Sequence, residues 1–194
     1  MSPSSISGGH IEVITGTMFS GKTEELIRRL ERSEIAGQDV QVFKPEIDDR
    51  YSEDTISSHR GSEWESEIIS TTDSHEQIMD KLEEGDVVAI DEANFFEDDL
   101  VDAVQELANN GFRVIVVGLD QTYRGETFEP MGKLMAVAEY VEKFQAICEI
   151  CGEPATRPQR LIDGEPASVD EPTVVVGADE KYQARCRECH ELKE

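Results

Sequence analysis

The sequence predicts an α/β protein, a mostly parallel sheet with helices on both faces, followed by a small metal-stapled unit. Three observations lead there. Short apolar blocks such as 87–90 (VVAI) and 114–117 (VIVV) alternate with stretches whose apolar residues recur at spacings of three and four, an order that favours right-handed βαβ units. A glycine-rich octapeptide, GTMFSGKT at 16–23, stands between a strand-like and a helix-like segment. All four cysteines fall in two C-x-x-C pairs near the C-terminal end. At 194 residues the chain has room for one sizeable core and an appendage, not for two full domains.

Taken in order, residues 1–9 (MSPSSISGG) lack both a basic start and an apolar stretch, so they read as a flexible tail rather than a signal peptide. Residues 10–15 (HIEVIT) read as a strand running into the glycine loop. From Lys22 the period becomes helical, with Leu26, Ile27 and Leu30 on one side and Gly37 as the stop. A second strand at 40–43 ends at Pro45. The polar, serine-rich stretch that follows fits only a loop or weak strands, and its length suggests a functional segment. Residues 74–82 form a helix with Ile78, Met79 and Leu82 on one side. Residues 86–91 (DVVAID) are the near-continuous apolar run of a strand buried on both faces. Leu100, Val101, Val104, Leu107 and Ala108 mark an amphipathic helix ended by Asn110-Gly111. Residues 113–119 are another buried strand, and 140–146 one more. The boundary of the appendage falls near Ala146, giving units at 10–146 and 147–194.

Charge sets the chain apart: 43 acidic against 18 basic residues give a net charge of -25 and a pI near 4.4. Such a surface repels nucleic acid and anionic membranes, so any phosphate site must be locally positive. With the acids dispersed and only seven lysines, it suits a salt-rich cytoplasm, where counterions screen the repulsion. No apolar run approaches the roughly 20 residues that span a bilayer.

The octapeptide matches G-x-x-x-x-G-K-[ST] in full, between strand and helix, where a phosphate-binding loop belongs. Gly16 and Gly21 let the backbone curl so that Thr17, Met18, Phe19 and Ser20 present N–H groups to phosphates, and the helix start adds its positive end. Lys22 reaches the β- and γ-phosphates of ATP, and Thr23 offers a hydroxyl to Mg²⁺. Met18 and Phe19 bring packing side chains. Asp91, at the end of the third strand, can orient the Mg²⁺ shell. Glu92, one residue on, can point into the crevice at the carboxyl ends of the strands and take a proton from an attacking hydroxyl or water. A solvated acidic pair opening a helix is the plain alternative. Phe95 or Phe96 can stack on a flat ring, although adjacent phenylalanines more often fill a core.

Cys148 with Cys151 and Cys186 with Cys189 read as zinc knuckles that staple the appendage, with a redox pair as the alternative. The 34 intervening residues exceed the usual ribbon interval of about 15–20, so a long loop projects between them. His190 competes with Cys189 as fourth ligand, but Cys189 completes the pair. Val174, Val175 and Val176 in that loop pack on the core or on a ligand, or form a plain strand of the module.

With these features in place, the chain closely resembles the zinc-containing (type II) thymidine kinases of cells and bacteria. The resemblance runs from about His10 to the end, through GTMFSGKT and ELIRR, then DEANFF, GLDQTYRGETF, CEIC, VVVGADEKYQARC and CREC. It implies a fold similar to P-loop ATPases and transfer of the γ-phosphoryl group of ATP to the 5′-hydroxyl of thymidine. It also implies that Glu92 is the general base, that Phe95 lies against the thymine ring, and that Tyr123 is near the substrate. By the same resemblance Thr173, Val174, Val175, Val176 and Gly177 form a lasso whose backbone holds the base, closed by Tyr182. Asp48 and Arg50, in DDRYS, contact the triphosphate, and Asn94, where Gln is common, belongs on the ATP side. A homo-tetramer in the cytoplasm, acting on a small molecule without nucleic acid or membrane, is the implied setting.

Overall fold

Strand follows helix along the chain as the apolar periodicity requires. The computed structural model describes residues 8–46, 55–57, 63–173 and 181–193. In chain order it has β1 (His10–Gly16), α1 (Lys22–Ile35), β2 (Val40–Pro45), β3 (Thr55–Ser57), β4 (Glu63–Glu65), β5 (Glu67–Ile69) and α2 (Ser74–Lys81). Next come β6 (Val87–Ile90), a single 3₁₀ turn at Ala93–Phe95, α3 (Asp99–Asn109), β7 (Arg113–Gly118), α4 (Met131–Val137) and β8 (Tyr140–Phe144). The chain closes with β9 (Ala146–Ile147), β10 (Pro154–Ala155), β11 (Arg157–Ile162), β12 (Glu165–Pro166) and β13 (Lys181–Arg185).

Six strands in the order β5-β2-β6-β7-β1-β8 make the main sheet, and every pairing in it is parallel. Neighbouring residues on the central strands serve opposite faces, the period of two expected of extended chain. Val88, Ile90, Val114 and Val116 join Ile78, Leu100, Val104, Leu107, Met131 and Leu134 from α2, α3 and α4. Val87, Ala89, Ile115 and Val117 join Leu26, Ile27 and Leu30 from α1 on the other face. Burial on both faces explains the unbroken apolar runs, each Leu or Ile contributing about 1.5–3 kcal/mol. Among the described residues of the polar stretch after β2, the three-residue strands β3 and β4 pair antiparallel; Asp48 and Arg50 lie outside the described residues.

The C-terminal unit holds a two-stranded ribbon of β9 and β10 and a three-stranded antiparallel sheet, β12-β11-β13. Its core is small, Ala146, Cys148, Ala155, Ala184 and Cys186, with Cys189 packed against it. So little apolar area calls for a staple. Among the described residues no helix is long and apolar enough to cross a membrane.

Candidate active site and metal centre

The carboxyl ends of β1, β6 and β7 lie side by side, because β7 pairs with both of the others. At the end of β1 the chain turns at Gly16, φ +138, where an added Cβ would meet the Phe144 carbonyl oxygen at 2.3 Å. Gly21, at φ +88, ends the loop in the left-handed region and leads into α1. Both glycines are thus required by geometry. Thr17 is buried; its carbonyl oxygen accepts Ser20 Oγ at 2.7 Å and Lys22 Nζ at 2.9 Å. Thr17 Oγ1 is buried without a hydrogen-bond partner among the described residues. Phe19 is 52% exposed at φ 62, so about half of its side chain faces solvent. Met18, Ser20 and Thr23 are half-buried. Burial lowers the pKa of Lys22, against the opposing charges of Glu92, Asp91, Asp120 and Glu24. A cation ringed by carboxylates at the mouth of a curled loop fits a triphosphate with its metal ion.

Three of those carboxylates, Asp91, Glu92 and Asp120, follow two neighbouring strands, β6 and β7, and Glu24 stands in the first turn of α1. Asp91 is buried directly after β6, and its Oδ1 accepts the Glu92 N–H at 2.9 Å. Glu92 follows at φ 50, half-buried, where the left-handed backbone turns the chain sharply into the 3₁₀ turn. Asn94 is buried, and its Oδ1 accepts the Leu119 N–H at 2.9 Å, bracing the acidic turn against the end of β7. The phenylalanines separate: Phe96 enters the core, whereas Phe95 stays half-buried and meets Phe128 edge-on, centroids 6.5 Å apart.

Sequence reasoning passed over several of these groups. Asp120 is 3% exposed and ion-pairs through Oδ2 with Lys143 of β8, while its Oδ1 has no hydrogen-bond partner among the described residues. Asp120 and Phe128 both lie in the GLDQTYRGETF segment, but no spacing within it assigns either a role; the fold brings them to Lys143 and Phe95. Tyr123 is 2% exposed, and its hydroxyl lies 2.9 Å from Ser168 O and 2.7 Å from Glu171 O. Thr173 Oγ1 accepts Arg124 Nη1 at 3.1 Å. Tyr182, half-buried on β13, pairs in register with Arg160. Val174, Val175, Val176 and Gly177 lie outside the described residues.

Cys148, Cys151, Cys186 and Cys189 bring their sulfurs within 4.8 Å of one another. The 3.7 Å between Cys151 Sγ and Cys186 Sγ far exceeds a disulfide's roughly 2.05 Å and matches the edge of a tetrahedron with Zn–S near 2.3 Å. Burial raises the Cys148 thiol, but N–H groups of Cys186, Cys151 and Ile150 outweigh it and bring the pKa to about 6. Hydrogen bonding to Cys186 and Cys151 pushes Cys189 up to about 12. One thiolate forms readily and the last resists, so full ionisation calls for a cation among them. His190 stays out of the sulfur group; its Nε2 lies 2.8 Å from Tyr123 O.

Fold and site together define a phosphate-binding-loop α/β protein with a four-cysteine cluster able to hold a metal ion. A profile of the family described as thymidine kinase matches residues 9–190, and the chain belongs to that family. A thymidine kinase of Haloquadratum walsbyi is 53% identical over 96% of this chain and 97% of its own. One of Halobacterium salinarum is 59% identical over 96% of each. Both sources are halophiles, in keeping with the acidity. The Legionella pneumophila ATPase DotB overlaps 77% of this chain and 44% of its own at 12% identity and TM-score 0.45, too distant to carry an argument.

Proposed function

We propose that the protein transfers the γ-phosphoryl group of ATP to the 5′-hydroxyl of thymidine, releasing ADP and thymidine monophosphate. The observation that carries this is the meeting, at one end of the parallel sheet, of the phosphate loop with the acidic turn Asp91-Glu92 and the aromatic Phe95. Residues 16–23 hold the donor phosphates, with Lys22 neutralising charge on the β- and γ-phosphate oxygens as the bond to ADP breaks. Mg²⁺ neutralises phosphate charge when bound, Thr23 and Asp91 being the residues to hold it and its waters. Glu92 accepts the hydroxyl proton as the oxygen attacks phosphorus and the bond to the ADP oxygen breaks. Phe95 lies against the thymine ring, with Phe128 at its edge, and residues 173–177 with Tyr182 hold the base through backbone groups. Asp48 and Arg50 add contacts to the triphosphate.

The four cysteines hold a structural Zn²⁺ in a unit of 147–194, distinct from the nucleotide unit of 10–146. The working enzyme is a cytoplasmic homo-tetramer; with a net charge of -25 it engages neither nucleic acid nor membrane. Incubation with ATP and Mg²⁺, with and without thymidine, tests the reading: ADP and thymidine monophosphate should appear together and only with thymidine. ADP release indifferent to thymidine would instead make the chain an ATPase whose zinc module serves another partner.

A further inference from the structure

We infer that Arg124, together with Tyr123 and Arg160, forms a latch that fixes residues 168–173, making Arg124 a positioning residue for the nucleoside rather than for ATP. The inference rests on the proposed function, in which the chain just beyond 173 contacts thymidine.

The contacts concentrate on one short stretch. Arg124 donates from Nε to Val169 O at 2.8 Å, from Nη2 to Glu171 O at 2.5 Å and from Nη1 to Thr173 Oγ1 at 3.1 Å. The Tyr123 hydroxyl shares its single proton between Ser168 O and Glu171 O. Arg160, 1% exposed, donates from Nη1 to Pro172 O at 2.5 Å. The guanidinium carbons of Arg124 and Arg160 lie 5.2 and 5.4 Å from the Tyr123 ring centroid, within cation–π range. Thus the carbonyls of Ser168, Val169, Glu171 and Pro172 are all held by side chains from two other elements.

The choice of acceptor is informative. Asp170 and Glu171 stand in the stretch itself, yet the arginines take its backbone carbonyls and the Thr173 hydroxyl; the carboxylate paired with Arg124 is Glu126, outside the stretch at 3.9 Å. A guanidinium bonded to neutral carbonyls keeps its partners at high ionic strength, where an exposed ion pair is screened. Sequence change at 168–172 leaves those acceptors in place.

The latch is also tied to the metal knuckle. His190, next to Cys189, reaches Tyr123 O. Gln159, beside Arg160, exchanges two hydrogen bonds of 2.8 Å with the backbone of Glu191. Order at the cysteines therefore passes to Tyr123 and Arg160 without touching the phosphate loop.

The test uses the full-length, zinc-loaded protein and the variants Arg124→Ala, Arg124→Lys and Tyr123→Phe. Amide hydrogen exchange should speed up at 168–173 in Arg124→Ala and stay at the parent rate at 16–23. Thymidine KM should rise about tenfold, as expected for lost charge-assisted hydrogen bonds, with kcat and ATP KM within about twofold of the parent. Arg124→Lys, which keeps the charge but not the three-way fork, should fall between; Tyr123→Phe should show a smaller rise. Unchanged exchange at 168–173, or ATP KM rising in step with thymidine KM, overturns the latch. A parent that makes no thymidine monophosphate overturns the functional reading, and the exchange data then judge the latch separately.

Discussion

Glu92 occupies a backbone region, φ 50 and ψ 39, that few non-glycine residues adopt. Such conformations persist where the surroundings over-determine them, and they collect at working sites. Here the Asp91 carboxylate holds the Glu92 N–H and Asn94 braces the far side. Glu92→Gln preserves that shape and removes the capacity to accept a proton, together with one of the charges facing Lys22. It should bind an ATP analogue as the parent does, measured by calorimetry, and lose about 10²–10⁴-fold in turnover; undiminished turnover would exclude Glu92 as base. At this scale the sequence was most legible where chemistry and spacing coincide. Gly16, Lys22, Asp91 and the cysteines announce themselves within a few residues. Asp120, Phe128 and Arg124 do not, because their partners lie on other elements: Lys143 on β8, Phe95 in the 3₁₀ turn, and residues 169–173 more than 40 positions along the chain.

Between elements, the strongest polar joint is buried beneath α1. Glu12, fully buried in β1, receives Arg29 of α1 at 2.6 Å, Arg113 of β7 at 2.7 Å and His10 at 3.0 Å. Burial alone would raise the Glu12 pKa; hydrogen bonds from Arg113 and His10, with the charges of Arg113 and Arg29, prevail and hold it below 4.5. A depressed carboxylate contributes stability that is present above its unfolded pKa and lost as pH falls through the folded value. Glu12→Gln should therefore cost about 3 kcal/mol at pH 7, chiefly by taking the carboxylate from Arg113, since Arg29 keeps Glu25 and Glu142. The deficit should shrink as pH drops below about 4, as urea titrations at the two pH values would read. The metal joint makes a parallel prediction. Chelating zinc should melt the small unit and abolish thymidine phosphorylation while ATP-analogue binding survives, because the phosphate loop hangs on the large sheet. Elements with strong apolar period, α1, α3, β6 and β7, were legible from sequence. Others were not, α4 and β11 among them: α4 is barely two turns and carries Gly132, and β11 (RPQRLI) buries Gln159 and Arg160, polar residues that hide a strand.

Over the whole molecule the unresolved balance is electrostatic. Many described cations are already engaged: Arg29 and Arg113 with Glu12, Arg28 with Glu25, Lys133 with Asp98, Lys143 with Asp120. The acidic excess, a net charge of -25 for the chain, repels itself. The Debye length shrinks from about 10 Å at 0.1 M salt to about 3 Å at 1 M, so mutual repulsion between surface carboxylates should largely vanish over that interval. The buried Glu12 network is screened far less and should contribute equally at both ends. The thermal midpoint should accordingly climb steeply between 0.1 and 1 M KCl, and NaCl should act alike if screening is the cause. An osmolyte such as sucrose, at an equal stabilising effect on a neutral reference protein, should leave most of the low-salt deficit in place. Glu12→Gln should lower the midpoint by a similar amount at both salt concentrations, separating the buried charge from the surface ones. A midpoint that stays flat from 0.1 to 1 M KCl would mean that the acids are already neutralised by partners within the fold, and would remove the saline explanation of this surface.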